Sequence, residues 1–203
     1  MASGEIGQTN SASGLAALIS RAVSPGRDLP PVDQWAPEFS ADLDMEIRAD
    51  GSWYYEGSVI RREALVRLFS TVLRKDEDGS TYLVTPVEKV EVRVEDAPFV
   101  AVEMSVDTRD GKQVLTFRTN VGDVVEAGPD HPLRFELAGD DEGLKPYLHV
   151  RGRLEALASR AVMYEIAALG EPQTVDGTEM FAVVSAGAVF PIMTMQQLET
   201  QSQ

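Results

Sequence analysis

"VRVEDAPFVAVEM", Val92–Met104, sets two adjacent carboxylates between two strand patterns. Val92 and Val94 alternate with Arg93 and Glu95, as a half-buried strand requires. After Ala97-Pro98 the alternation starts again at Val100, Val102 and Met104. Glu95 and Asp96 stand between the two runs. Neighbours on a strand point to opposite faces, so the two carboxylates cannot form a catalytic pair while the strand stays regular. Pro98 holds Ala97 extended and cannot donate to a ladder, so the strand ends or bulges here. Asp96 is expected to accept backbone N–H groups at this corner. The stretch reads as folding punctuation.

Downstream, Asp110-Gly111 in "TRDGKQ" predicts a type I′ hairpin turn with Arg109 facing Lys112. Counting back from it, Val106 opposes Leu115, Met104 opposes Phe117 and Val102 opposes Thr119 on the core face. On the other face Ser105 opposes Thr116, Glu103 opposes Arg118 and Ala101 opposes Asn120. A slip of one residue would put Arg118 in the core.

Upstream, "EKVEVRVE" predicts a half-buried antiparallel strand with Val90, Val92 and Val94 on one face. "DLDMEIRADGSWYYEG" predicts a hairpin turning at Asp50-Gly51. "IRREALVRLFSTVLR" puts Leu65, Leu68, Phe69, Val72 and Leu73 on one side of a helix. Every segment from Tyr82 to Leu137 reads as strand. "YLHVRGRLEALA" predicts a further strand, and Ser159 caps a helix that Gly170 and Pro172 close. "MFAVVSAGAVFPIM" is apolar and β-like around Gly187.

At the other end, Met1–Ala12 reads as mobile, and Leu15–Val23 as a short docking helix stopped by Pro25-Gly26. "DLPPVDQWAP" predicts an extended strap anchored by Trp35. The expected divisions are 1–29 (mobile N-terminus and docking helix), 30–85 (an N-terminal α+β domain) and 86–203 (a C-terminal β-rich domain with one helix). The expected class is α+β, with antiparallel sheets and few parallel strands. "SWYYEGSVIRREALVRLF" and "PYLHVRGRLEALASRAVMYEI" both run from aromatic strand through an arginine junction into helix. That hints at a duplication, with the two helices in equivalent positions of two halves.

The 203 residues carry a formal net charge of −15 and no cysteine. The charge argues against extended DNA or RNA as a partner. The missing thiols remove disulfides, thiolate nucleophiles and thiolate metal sites. No apolar run is long enough to span a membrane, and the start lacks a signal peptide's pattern, so the expected location is cytoplasmic. The histidines are His131, in a turn, and His149, on a strand as a satisfied core residue. No clustered ligand set, nucleophile elbow or phosphate loop occurs, so no metal, cofactor or catalytic residue is expected. "TNVGD" is a corner able to offer backbone N–H groups to an anion, or simply a turn.

One constellation remains. Arg61, Arg62, Arg67 and Arg74 decorate the first helix, Arg118 and Asn120 share a polar strand face, and Arg151 and Arg153 mark the second strand-to-helix junction. Arginines at matching junctions of two repeats could grip an anion by their forks. Surface ion pairing, Arg118 with Glu103 and Arg62 with neighbouring acids, is the alternative. Arg118, Asn120, Arg74, Arg151 and Trp53 are the candidate ligand-binding residues.

"DGSWYYEGSVIRREALVRLFSTVLR", "YLVTPVEKVEVRVEDAPFVAVEM" and "LTFRTNVGD" together resemble a bacterial family, domain of unknown function 1285, from about Pro30 to the C-terminus. In "SADLDM" the chain departs from that family, with Ala41 at a usual glycine position. The resemblance implies a core made by duplication, a C-terminal half superficially like a pleckstrin-homology barrel, and no established activity. It implies a binding site between the halves for a nucleotide-like ligand in signalling. The expectation is therefore a non-enzymatic module binding a small, nucleotide-like anion at that seam. The alternative is a protein-interaction adaptor of unknown partner, using strand edges and the aromatics Trp35, Trp53 and Tyr54.

Overall fold

The computed structural model describes residues 29–37, 39–138 and 143–201. The expected N-terminal helix lies outside them. The chain forms two compact units, Met1–Pro98 and Phe99–Gln203. The division falls inside the opening stretch, at the proline.

Among the described residues the first unit is one six-stranded sheet with an α-helix, and the strap expected to be extended holds a short 3-10 helix, Val32–Gln34. Its elements are β1 (Phe39–Ile47), β2 (Trp53–Tyr55), β3 (Ser58–Val59), α1 (Glu63–Ser70), β4 (Leu73–Lys75), β5 (Thr81–Val84) and β6 (Glu88–Val94). The strand order is β3-β2-β1-β6-β5-β4. Two antiparallel meanders thus meet at a central parallel pair, β1 with β6. The expected break after residue 85 differs from the structural one by this strand. β6 cannot leave the first unit, because it is hydrogen-bonded on both sides within its sheet. It is also mixed, antiparallel to β5 only.

The period-2 pattern gives this sheet its core face. Met45, Ile47, Trp53, Tyr55, Leu73, Leu83, Val90 and Val92 are all buried. Phe69 and Val72 are fully buried with them, and the Trp53 and Phe69 rings lie 6.2 Å apart. The predicted helix through Leu73 is cut short. Ser70 Oγ donates to Arg67 O and Thr71 Oγ1 to Leu68 O, and the backbone there tightens to i→i−3 bonds, Thr71 N to Leu68 O and Val72 N to Phe69 O. Leu73 remains a core residue, but of β4.

The second unit comprises β7 (Phe99–Arg109), β8 (Lys112–Thr119), β9 (Val124–Glu126), β10 (Leu133–Ala138), β11 (Gly143–Arg151), β12 (Leu154–Ala158), α2 (Arg160–Ala168), β13 (Glu171–Val175), β14 (Thr178–Ser185), β15 (Ala188–Thr194) and α3 (Met195–Gln201). Its large sheet runs β10-β11-β12-β7-β8-β9, and β13-β14-β15 form a small one. In the large sheet the first and last strands, β7 and β12, are again the central parallel pair joining two meanders. Read from its other edge, the order repeats that of the first unit. The duplicated sheet-plus-helix core is therefore real at the level of strand order, and the class is α+β.

The helices are not in equivalent places. α1 links the two meanders of the first sheet, whereas α2 follows the last strand of the second. The two sequence segments that look alike share only a local pattern, a hairpin running into a helix, which says nothing of its place in the sheet. The pleckstrin-homology likeness stays an expectation.

The β7–β8 hairpin has the predicted turn, with Asp110 at φ 51° and Gly111 at φ 75°. Its register follows the prediction from Arg109↔Lys112 through Glu103↔Arg118, and Phe117 is buried. There it breaks. A bulge leaves Val102 as an extra residue, so Ala101 faces Thr119 rather than Asn120. The bulge keeps Ala101 buried and sets Val102 on the surface.

Ser159 caps α2 as expected, its side chain accepting from Val162 N. Beyond the helix, a Cβ on Gly170 would lie 2.1 Å from a ring carbon of Phe181, so this close approach requires glycine. Ser185 joins the two sheets of the unit. It is fully buried, its Oγ accepts from Leu115 N at 2.9 Å and donates to Ala127 O at 2.7 Å.

Candidate functional site

The candidate arginines and Asn120 each sit among their own partners, whereas the buried Nε1 of Trp53 has none among the described residues. Arg74 is largely buried. Its Nε and Nη2 donate to Asp76, at 2.6 and 3.3 Å, and its Nη1 donates to the carbonyls of Val32 and Trp35 at 2.9 and 2.7 Å. The proline strap is therefore held by this guanidinium; Trp35 itself is only half-buried. Trp53 is 1% exposed. It shares its face with Leu73, through Ile47↔Trp53, Ile47↔Val94 and Leu73↔Leu83↔Val90. Arg74, the next residue after Leu73, is on the opposite face, so these two do not share a site.

In the second unit Arg118 points to solvent and pairs with Glu103, at 2.5 Å from Nη2 and 2.7 Å from Nε. Both side chains are more than half exposed. Asn120 leaves the strand face: its Oδ1 accepts from Val100 N at 3.0 Å and its own N–H donates to Val100 O. Arg151 Nη1 donates to Asp123 Oδ2 at 2.7 Å, and its guanidinium lies over the Phe99 ring. Asn120 and Arg151 thus fasten the same β8–β9 corner to different strands. In "TNVGD" the N–H groups of Gly122 and Asp123 are taken by Thr119 O and Oγ1. The corner is a closed turn.

The opening carboxylates also resolve. Glu95 catches the backbone: its Oε2 accepts from Ala49 N at 2.9 Å, closing the β1–β2 loop. In that loop Asp50 accepts from both Ser52 N and Ser52 Oγ, and the Ser52 hydroxyl, the larger cause, holds its carboxyl below the ordinary range. His149 Nε2 must donate to Gly152 O, at 2.8 Å, because a carbonyl only accepts; its buried Nδ1 has no partner among the described residues, and its ring stacks on His131.

Elsewhere the first unit holds a cleft of about 380 Å³. Lys75, Ser80 and Thr81 line it from the β4–β5 hairpin, Glu91 to Val94 from β6, and Asp96 and Pro98 from the exit of the unit. It exists because the two elements differ in length. The last β5–β6 pair is Thr81↔Val92, and the chain then turns away through "DEDGS", closed by Gly79 N to Asp76 O and Asp76 N to Ser80 O. β6 runs on. Glu95 N donates to Ile47 O on the β1 side, so alternation points the N–H and C=O of Val94 the other way, into the cleft. Neither has a hydrogen-bond partner among the described residues. Lys75 makes no ion pair among them, in contrast to Arg74 and Lys89, which share Asp76. Arg93 is held by Asp44 at 2.6 Å.

Lys75 and Val94 were not singled out from the sequence. A signal existed: four residues of "TYLV" cannot cover seven of "EKVEVRV".

The model for the DUF1285 N-terminal domain, of unknown function, matches residues 30–97, and that for the C-terminal domain, also of unknown function, matches residues 98–192. A crystal structure of a DUF1285 family protein from Silicibacter pomeroyi DSS-3 is similar with 44% identity and a TM-score of 0.81, covering 93% of this chain and 97% of that one. The chain belongs to the DUF1285 family. The two family models meet between residues 97 and 98, one residue before the structural units divide. A DUF1285 family protein from Shewanella baltica OS155 is similar at 28% identity, with a TM-score of 0.48, covering 61% of this chain and 89% of that chain. No curated protein matches. The family supplies a fold and a domain organisation, and its description assigns no activity.

Proposed function

We propose that this DUF1285 chain is a non-enzymatic module that binds a small polar ligand, and that the cleft beside β6 receives it. One observation carries the reading. The cleft sets Lys75, a cation with no ion pair among the described residues, beside the hydroxyl residues Ser80 and Thr81 and the Val94 backbone, which has no hydrogen-bond partner among them. Convergent polar groups in a concave site of this size are what fixes a small molecule's orientation. Binding without chemistry is useful where the bound state is read by something else, so signalling is the setting we propose. The nucleotide-like anion expected from the sequence is one ligand class to test. The mixed lining, with Glu91 and Asp96 beside Lys75 and Arg93, favours a ligand of lower charge.

A thermal-shift screen of nucleotides, small anions, amino acids and short peptides tests the reading, run in parallel on wild type and Lys75→Gln. A ligand should raise the melting temperature of wild type, and the substitution should abolish most of the shift while leaving the ligand-free melting temperature near that of wild type. Shifts untouched by Lys75→Gln, or none at all, would remove the cleft from consideration.

The adaptor reading has a separate support in the second unit. Val102, Val106 and Val124 are exposed on the β7–β8–β9 meander. The expected aromatic anchor Trp53, however, is buried.

A further inference from the structure

Resting on the cleft as a ligand site, we propose that it takes the carboxy-terminal end of an extended peptide, laid against β6 as a continuation of β5. The backbone chemistry carries this. Val94 presents a donor and an acceptor together, on the side where β5 has ended. One residue of an extended peptide answers both at once with its own C=O and N–H, as in strand addition to a sheet edge. A fully ionised phosphoryl group offers acceptors only and would leave the Val94 carbonyl facing negative oxygen.

The lining also gives a direction. A segment continuing the line of β5 and running the same way is antiparallel to β6. Its last residue reaches the start of β5, where Lys75 faces Thr81 across the hairpin and Ser80 adjoins them. That end is cationic and hydroxyl-lined, which suits a terminal carboxylate. The other end of the segment points along β6 towards Asp96, an acidic lining residue. Val92, Arg93 and Val94 line the stretch between. The polarity of the cleft thus matches the polarity of a peptide, carboxylate at the hairpin and amino side towards Asp96. The same chemistry is offered by a free short peptide and by the tail of a partner chain.

The test is calorimetric titration of the full chain with L-alanyl-L-alanine, its carboxy-terminal amide, and a decapeptide ending in Ala-Ala. Hydrogen exchange at the Val94 amide is followed alongside. Dialanine should bind saturably and slow exchange at Val94. Amidation, or Lys75→Gln in the protein, should weaken binding about tenfold or more, since each removes one charge-assisted contact. Equal binding of the decapeptide assigns the site to chain tails; binding of dialanine alone assigns it to free peptides. Absence of dialanine and decapeptide binding, binding indifferent to amidation, or unchanged Val94 exchange overturns the peptide inference. If inorganic phosphate or AMP then binds in a Lys75-dependent way, the cleft remains a ligand site and only its occupant was misread. If none of these probes binds through Lys75, both readings fall.

Discussion

Arg74 and Arg118 carry the same guanidinium with different consequences. Arg74 is shielded and spends its donors on Asp76 and two strap carbonyls. Lysine keeps the charge but cannot reach both sets of acceptors, so Arg74→Lys should cost about 1.5–3 kcal/mol and speed amide exchange in residues 32–35. Arg118 and Glu103 stand in solvent, so Arg118→Lys should cost about 1 kcal/mol or less in chemical denaturation. Both arginines are equally visible in the sequence; burial, which separates them, is not. Asp50 supplies a pH prediction. Its folded pKa lies below the ordinary value because of Ser52. Its contribution is therefore complete above the carboxylate range and is lost as pH falls through it. The stability difference between wild type and Asp50→Asn should shrink below about pH 4, followed by urea denaturation across pH.

At the scale of elements, hydrophobic period places the strands, but Val102 and Val106, expected on the core face, are exposed. The alternation in "EKVEVRVE", the Asp-Gly turn and the Ser159 cap each appear where the letters put them. What periodicity misses is what side-chain hydroxyls do to backbone. α1 ends early at Ser70 and Thr71, whose hydroxyls bond its carbonyls, and Ser185, inside the apolar "AVVSAGAV", joins the small sheet to β8 and to the segment after β9. Ser185→Ala would strand a buried N–H and a buried C=O. It should cost at least about 2 kcal/mol by denaturant titration, whereas an ordinary surface serine costs a few tenths. The bulge at Val102 was equally silent, because an extra residue leaves the turn that sets the register unchanged.

At the scale of the molecule, the duplication was legible and its alignment was not. Strand count and the central parallel pair repeat, yet the helices stand at different steps of the chain. Local hairpin-to-helix likeness cannot report which sheet neighbour a strand chooses. The same limit hid the cleft, which arises from a length mismatch between β5 and β6 and from the backbone of Val94. The candidate arginines were chosen by side-chain type, and the groups that stay unpaired among the described residues include a main chain. The most direct test is backbone amide shift mapping of the full chain during titration with the best ligand of the thermal-shift screen. The account predicts saturable shifts clustered at Lys75, Ser80, Thr81 and Val94. Shifts clustered at Arg118, Asn120 and Arg151, with the β6 cleft silent, would contradict it.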